Sequence, residues 1–328
     1  MKKMIAFVLA MIMVLSLAAC GNEKESGVKT DFKVAIVQQL DHSSLDEIRE
    51  AIKAELNALV EPTNFTITIE EFNGQNDTSM LNQIGSEIMG DGDYDMIIPI
   101  ATLAAQTMAT AADGQIPVVY AAVSDPAGNG LTGMANVTGT SDALNTPFIL
   151  DMMFKADPEI QTVGLLYSNS EPNSQKPIAE AKEYLEAKNI PYIEKTGTTA
   201  GEIIEAASAL VGRVDAVFTP TDNAVMATEA AVAEILNDAG IPHYAGADSF
   251  VTAGAFATCG VNYTELGTYT AQMAMAILGG GEVPEFHVMD GGIISANSLT
   301  GESCGLNISV FLEMANTVID VCTGTLGM

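Results

Sequence analysis

Tryptophan is absent from all 328 residues, and basic residues are scarce. Sugar-binding proteins commonly stack a pyranose ring on tryptophan, so its absence disfavours a sugar ligand, although Tyr and Phe can stack as well. Only 13 Lys and Arg stand against 42 Asp and Glu, which gives a formal net charge of −29. Such a surface repels nucleic acid and anionic lipid head groups. We therefore predict that the protein has no nucleic-acid partner. We also predict a soluble, monomeric domain, because copies of such an acidic protein repel one another.

Cysteine and histidine are few and widely spaced. The four cysteines are Cys20, Cys259, Cys304 and Cys322. The three histidines are His42, His243 and His287. Neither a CxxC pair nor an HExxH motif occurs, so we predict no metal site and no disulfide framework. For the cysteines after Cys20 there are two alternatives: a single bridge between Cys304 and Cys322, or free buried thiols. We interpret His243 and His287 as structural residues.

Sequence motifs of catalysis are also missing. No GxSxG elbow or P-loop occurs. The stretch 128–133 fits GxGxxG, but a dinucleotide site needs this motif directly between a strand and a helix, which the flanking residues do not provide. We therefore predict no cofactor, no catalytic residues and no enzyme activity, while dispersed catalytic residues would leave an enzyme on the same scaffold as an alternative.

Long hydrophobic runs are confined to the N-terminus. Lys2 and Lys3 precede the apolar residues 4–17, which end in Leu-Ala-Ala before Cys20. This arrangement resembles the signal of bacterial lipoproteins, in which the cysteine receives a lipid. We predict a signal peptide over residues 1–19, and lipidated Cys20 with a polar tether over residues 20–30. The mature chain would then be lipid-anchored to the bacterial cell membrane on its extracytoplasmic side, whereas a secreted protein with a chance cysteine is the alternative.

Apolar strands alternate with amphipathic helices from residue 32 onward. The predicted strands cover residues 32–38, 65–72, 94–101, 116–123, 162–167, 191–195, 215–219, 242–246 and 255–261. The predicted helices begin at a capping box over residues 44–47 and then cover residues 77–89, from 102, 146–155, 175–188, from 199, 223–239, 265–278 and 309–321. This alternation predicts an α/β fold with two doubly wound parallel-sheet lobes, divided at the irregular residues 124–145, and a ligand cleft between them.

Polar side chains follow the predicted strands, where open parallel sheets bind ligands. They include Gln38, His42, Thr102, Ser124, Asp125, Asn173, Ser174, Asp222, Asn223 and Asp248. Several of these positions are also typical of helix N-caps, and His42 could equally lie at the surface, so both interpretations stay open. Helix N-termini favour a carboxylate, and Asp222 or Asp248 would suit an ammonium group. The two together indicate a zwitterion such as an amino acid.

Several of these stretches resemble one known family across most of the chain. They comprise residues 34–38 with His42, residues 100–102 with Gln106, residues 117–126, residues 136–139, residues 163–167 with Asn173 and Ser174, residues 214–217 with residues 220–223, and Tyr263 with residues 265–267. In these stretches the sequence is similar to the extracytoplasmic substrate-binding proteins of ABC transporters of the tryptophan or aromatic amino-acid type. Their fold is like that of the type I periplasmic binding proteins.

The resemblance implies a receptor whose two lobes close on the ligand and then dock on an ABC permease with its ATPase. It implies that the candidate residues from Gln38 to Asn223 line the cleft, with Thr102 and Ser174 facing a carboxylate and Asp222 an ammonium group. Leu40, Tyr120 and Phe250 are candidates to flank an aromatic ring. We expect the N-terminal lobe over residues 31–142 plus about 263–281, and the C-terminal lobe over residues 143–262 plus about 282–328. Alternatives are a lipoprotein that reports the ligand to a membrane sensor, and a receptor for a purine, nucleoside or sugar.

Overall fold

Two separate sheets organise the chain in the computed structural model, which describes residues 29–327. The predicted signal peptide, Cys20 and the tether up to residue 28 lie outside the described residues. Within residues 29–327, no helix combines the length and the apolar character needed to cross a membrane. Cys259, Cys304 and Cys322 are free thiols, so the Cys304–Cys322 bridge is wrong; Cys259 is buried, whereas Cys304 is partly exposed and Cys322 exposed.

The first lobe contains a six-stranded sheet in the order β11-β5-β4-β3-β1-β2, with all neighbours parallel. The strands are β1 (Asp31–Gln38), β2 (Thr66–Asn73), β3 (Met96–Ile100), β4 (Val118–Tyr120), β5 (Val137–Ser141) and β11 (His287–Val288). The helices are α1 (Ser43–Val60), α2 (Thr78–Asp91), α3 (Thr102–Ala112) and α10 (Tyr263–Leu278). Side chains alternate along β1, so that Val34 and Ile36 pack in one core while Ala35 and Val37 pack in another. Both faces of the sheet are therefore buried, as expected for parallel strands.

The second lobe contains an eight-stranded sheet in the order β14-β13-β12-β10-β9-β8-β6-β7. Its strands are β6 (Val163–Tyr167), β7 (Tyr192–Thr196), β8 (Ala216–Thr219), β9 (His243–Ala245), β10 (Ala257–Gly260), β12 (Ile293–Ala296), β13 (Thr317–Asp320) and β14 (Gly324–Gly327). Its helices are α4 (Thr146–Ala156), α5 (Pro172–Ala187), α6 (Ala200–Ser208), α7 (Asn223–Met226), α8 (Glu229–Asp238), α9 (Asp248–Ala253) and α11 (Ser298–Ser303), with a 3₁₀-helix at Ile308–Glu313. The two parallel-sheet lobes confirm the predicted fold class.

The chain passes between the lobes three times. It crosses after β5, after β10 and after β11, because each of these strands is followed by an element of the other lobe. The first and third crossings touch, since the Met289 amide donates to the Ser141 carbonyl at 2.9 Å. Strand β11 pairs with β5 of the first sheet, although we expected residues from about 282 onward in the C-terminal lobe. We propose that the first lobe takes residues 263–288 and that the second lobe resumes at β12.

Four local predictions differ from the structure. Strand β5 lies inside residues 124–145, which were expected to be irregular. The helix predicted over residues 223–239 is divided into α7 and α8. The helix predicted at the C-terminus is wrong, because residues 308–313 form a 3₁₀-helix and β13 follows. Helix α1 begins after His42, and the Ser44 side chain bonds to Ser249 instead of closing a capping box.

Candidate ligand-binding cleft

A small cavity of about 20 Å³ lies between the two lobes, at the carboxyl ends of their strands. The residues that line it are His42, Ser44, Leu45, Ala122, Ser124, Asp142, Asn173, Thr221, Asp222, Asn223, Met226, Ala247, Phe250 and Tyr263. A volume of this size accommodates about one water molecule. A ligand as large as an amino acid therefore requires the surrounding side chains or the lobes to move apart.

Hydrogen bonds between side chains join the lobes across this cavity. The Ser44 and Ser249 hydroxyls lie 2.5 Å apart, and the Ser124 and Thr221 hydroxyls lie 3.1 Å apart. In each pair one hydroxyl belongs to the first lobe and the other to the second. Such bonds form only when the cleft is shut, so the structure shows a closed arrangement.

A larger network joins the lobes beside the cavity. Gln39 donates to one oxygen of Glu171 at 2.8 Å, and Asn223 donates to the other at 2.7 Å. Since the Asn223 amide nitrogen is used in this way, its oxygen accepts the hydrogen of His42 Nε2 at 3.0 Å. This leaves His42 Nδ1 as a buried acceptor with no hydrogen-bond partner among the described residues.

The backbone is also unusual at the cavity. Ala122, which lines it, has a φ of 55°. This left-handed conformation is unfavourable for a residue with a Cβ and occurs preferentially at binding sites. Ala101, which precedes α3, has a φ of 76° and stands at the end of the neighbouring strand β3.

The cavity lining mixes apolar and polar side chains. Leu45, Met226, Ala247 and Phe250 contribute carbon atoms, and Asp142 and Asn173 are among the polar groups. Phe250 is held edge-on to the His243 ring, with 6.2 Å between the ring centres. Of the three side chains expected to flank an aromatic ring, Phe250 lines the cavity, whereas Leu40 and Tyr120 belong to the lobe cores. The cavity is thus lined by both polar groups and apolar side chains.

Five of the ten candidate residues line the cavity: His42, Ser124, Asn173, Asp222 and Asn223. The other five have different surroundings. Gln38 donates to the Leu40 carbonyl and to Asp46, and it accepts from Arg49. Ser174 donates to Asp222. Asp125 accepts from the Gly128 amide and so holds its own loop. Thr102 is buried with its hydroxyl unpaired. Asp248 is the first residue of α9, and burial raises its pKa above the ordinary value.

Asp142 and Tyr263 are lining residues that sequence reasoning did not select. Asp142 follows β5, and Tyr263 begins α10 directly after the second crossing. The rule that ligands bind at the carboxyl ends of parallel strands would have selected Asp142 had β5 been recognised. The alternation of β-branched residues at 137, 138 and 140 was the available signal.

The titratable side chains of the described part of the chain do not form a metal site. Residues 29–327 contain no group of three or more His, Cys, Asp or Glu side chains arranged to hold an ion. The buried carboxylates at the cleft are instead bonded to hydroxyl and amide groups, which are typical partners for an organic ligand site.

Comparison with known proteins identifies relatives over most of the chain. Residues 33–297 match the family model of ABC transporter substrate binding proteins. A tyrosine-binding protein of Clostridioides difficile (strain R20291) is 31% identical over 301 residues, which cover 86% of this chain and 87% of that protein. Among solved structures, an ABC domain in complex with L-Trp from Streptococcus pneumonia is 28% identical with a TM-score of 0.81, covering 88% of this chain and 100% of that one. A ligand-free, open substrate-binding protein with adhesive properties from Clostridium difficile is 32% identical with a TM-score of 0.63. The match covers 84% of this chain and 95% of that one.

The two solved relatives differ in how closely they superimpose on this chain. The L-Trp complex fits better, with a TM-score of 0.81 against 0.63, although its sequence identity is lower. Sequence divergence therefore does not account for the difference in fit. The hydrogen bonds across the cleft agree with a lobe arrangement closer to that of the complex than to that of the open protein.

Proposed function

Because this chain belongs to the family of ABC transporter substrate-binding proteins, we propose that it binds an aromatic amino acid outside the cell and delivers it to the permease of an importer. The cavity between the lobes carries this proposal, since buried polar groups and apolar side chains that include Phe250 line it together. An aromatic amino acid likewise combines charged groups with an apolar ring. The relatives that bind tyrosine and tryptophan support this ligand class.

Opening and closing of the lobes is the mechanism that the geometry supports. The cavity of about 20 Å³ cannot admit an amino acid without movement, and the three crossings provide the joint for it. Ligand enters when the bonds between Ser44 and Ser249 and between Ser124 and Thr221 are broken. Closure then removes the ligand from water and brings surfaces of both lobes together for recognition by the permease.

Anchoring is proposed from the sequence. The Leu-Ala-Ala-Cys stretch ending at Cys20 supports lipidation, and residues 20–28 would tether the first lobe to the membrane surface. A lipid anchor keeps a receptor near its permease without a transmembrane helix. The domain would then act as a lipid-anchored monomer without a cofactor or catalytic function.

A thermal-shift panel tests the ligand class. The purified protein is unfolded and refolded to release carried-over ligand, and is then mixed with amino acids, purines, nucleosides, sugars and small peptides. A ligand at 100 times its dissociation constant adds about 2.7 kcal/mol to the free energy of unfolding, which raises the midpoint visibly. We expect shifts with Tyr, Trp or Phe and none with alanine or glucose. A shift with a sugar or purine alone would replace the ligand class while keeping the receptor.

A further inference from the structure

Asp142 is a buried carboxylate with weak partners. It is 5% exposed, and its two oxygens accept side-chain hydrogen bonds from the Ser124 hydroxyl at 2.9 Å and the Tyr263 hydroxyl at 3.2 Å. No described Lys or Arg pairs with it. Burial raises the pKa of Asp142 above its ordinary value, and the two hydroxyl bonds oppose this rise. A carboxylate has about four acceptor positions, so Asp142 retains capacity for a cationic donor.

Asp222 differs from Asp142 although both line the cavity. Its Oδ2 accepts from the Ser168 amide and the Ser174 hydroxyl, both at 2.7 Å, and its Oδ1 accepts from the Val225 amide at 2.9 Å. Two of these donors belong to the backbone, and Asp222 is the N-cap of α7. The carboxylate therefore holds the loop after β6 against the start of α7, and these donors fill three of its about four acceptor positions.

Asn173 adds a second acceptor to the same cavity. It is 3% exposed, and its Oδ1 has no hydrogen-bond partner among residues 29–327. Its Nδ2 donates to the Thr221 carbonyl at 2.5 Å. Thr221 in turn bonds to Ser124, and because Ser124 donates to Asp142, the Thr221 hydroxyl is the donor in that pair. Asn173 and Asp142 are thus linked through two residues of the same cavity wall.

We propose that Asp142, together with Asn173 Oδ1, binds the ammonium group of the ligand, whereas Asp222 has a structural role. This inference rests on the proposed function only in requiring a ligand with an ammonium group. An ammonium has three N–H donors and no acceptor, and it matches an under-used carboxylate and a free amide oxygen. Asp142 stands in the first crossing and bonds to Tyr263 at the second, so the ligand's charge would be held where the lobes are joined.

Calorimetric titration of paired ligands tests the assignment. L-tyrosine and 3-(4-hydroxyphenyl)propionate differ only in the amino group, and each is titrated into wild type, Asp142→Asn and Asp222→Asn. We expect Asp142→Asn to weaken L-tyrosine binding by about 10- to 100-fold, the range for hydrogen bonds to charged groups, with little change for the propionate. Asp222→Asn should weaken both ligands alike. Equal losses for both ligands in Asp142→Asn would overturn the proposal.

Unfolding of the ligand-free variants provides a readout that does not depend on the ligand. Replacing an unpaired buried carboxylate with an amide of the same shape should leave the unfolding midpoint unchanged or raise it. We therefore expect Asp142→Asn to be at least as stable as wild type and Asp222→Asn to be less stable. A destabilised or unfolded Asp142→Asn would show a structural role and overturn the proposal. If no aromatic amino acid binds wild type, the proposed function fails, while this stability comparison still decides the role of Asp142.

Discussion

At the scale of single residues, the pair formed by Glu229 and His243 shows how a buried carboxylate is held inside one lobe. Both side chains are fully buried, with His243 Nδ1 2.9 Å from Glu229 Oε1 and His243 Nε2 2.8 Å from the Thr219 hydroxyl. The other oxygen of Glu229 has no hydrogen-bond partner in the described part of the chain. Burial raises the pKa of Glu229, and the adjacent imidazole opposes this rise. The carboxylate thus depends on His243 as its single side-chain partner.

Removing that partner should destabilise the protein strongly. We expect His243→Ala to lower the free energy of unfolding by about 3–5 kcal/mol, because Glu229 is then buried without any hydrogen bond. Denaturant unfolding of the ligand-free protein measures this change. His287→Ala is the control: His287 stacks on Tyr269 with 4.1 Å between ring centres and is partly exposed, so its loss should cost about 0.5–1.5 kcal/mol. Equal effects of the two substitutions would contradict the structural importance of the pair.

At the scale of elements, α1 and α10 lie unusually close together through Gly267. A Cβ at this position would lie 2.7 Å from both the Ala51 Cβ and the Ile48 carbonyl oxygen. Both neighbours belong to α1, and backbone atoms cannot turn aside as a side chain can. The absence of a side chain at Gly267 therefore allows the C-terminal helix of the first lobe to pack against its first helix.

Alanine at two helical glycines should have opposite effects. Gly267→Ala should destabilise the protein by about 1–3 kcal/mol, because the added methyl group forces the two helices apart. Gly201, in the first turn of α6, has open space around its Cβ position. Gly201→Ala should therefore stabilise by about 0.4–1 kcal/mol. Thermal unfolding of both variants measures the difference, and a loss of stability in Gly201→Ala would show that the comparison of local space is wrong.

Long periodic elements could be predicted from the sequence, and short ones could not. The apolar stripe of α1 and the Thr199–Glu202 capping box of α6 both occur in the structure. Strand β5 is five residues long and contains a single large apolar side chain, Val137, so its pattern is too weak to separate from a loop. Strand β13 lies inside the helix predicted over residues 309–321, and its four residues are too few for an alternating pattern to stand out from a helical one.

The same limit explains which candidate site residues were found. Ser124 and Asn173 follow strands that the sequence predicts clearly, whereas Asp142 follows β5. The different roles of Asp142 and Asp222 depend on which donors reach each carboxylate. Ser168 and Ser174 meet Asp222 only after α5 and α7 have packed together, and nothing in the sequence around Asp222 indicates this.

At the scale of the whole molecule, we expect Glu171 to couple closure of the lobes to pH. Burial and the nearby charge of Asp222 raise the pKa of Glu171 to about 8 in the closed structure. Gln39 reaches it from the other lobe, so opening the cleft exposes the carboxyl to water and returns its pKa towards the ordinary value of 4.5. The closed form then binds more protons than the open form between these values. Protonation of Glu171 therefore stabilises the closed form relative to the open form. This contribution is fully present below about pH 4.5 and is lost as the pH rises through about 8.

Small-angle X-ray scattering of the ligand-free protein at pH 6 and pH 9 measures this coupling. We expect a larger radius of gyration at pH 9 in wild type, and a smaller change with pH in Glu171→Gln, which cannot ionise. Glu229→Gln is the matched control, because Glu229 is equally buried but bonds only within the second lobe. An unchanged radius in wild type, or the same pH response in Glu171→Gln, would exclude Glu171 as the coupling group.

The three crossings between the lobes also determine the order in which the chain can fold. The first lobe begins with β1 near the N-terminus of the chain. Its sheet and core are complete only when α10 and β11 are present, and β11 ends at residue 288. Until those residues leave the ribosome, the face of α1 that carries Ile48 and Ile52 has no partner helix. Contacts between segments this distant in sequence form slowly. The second lobe likewise needs β12 to β14, which follow residue 292, so neither lobe can finish folding until the last segments of the chain have been made.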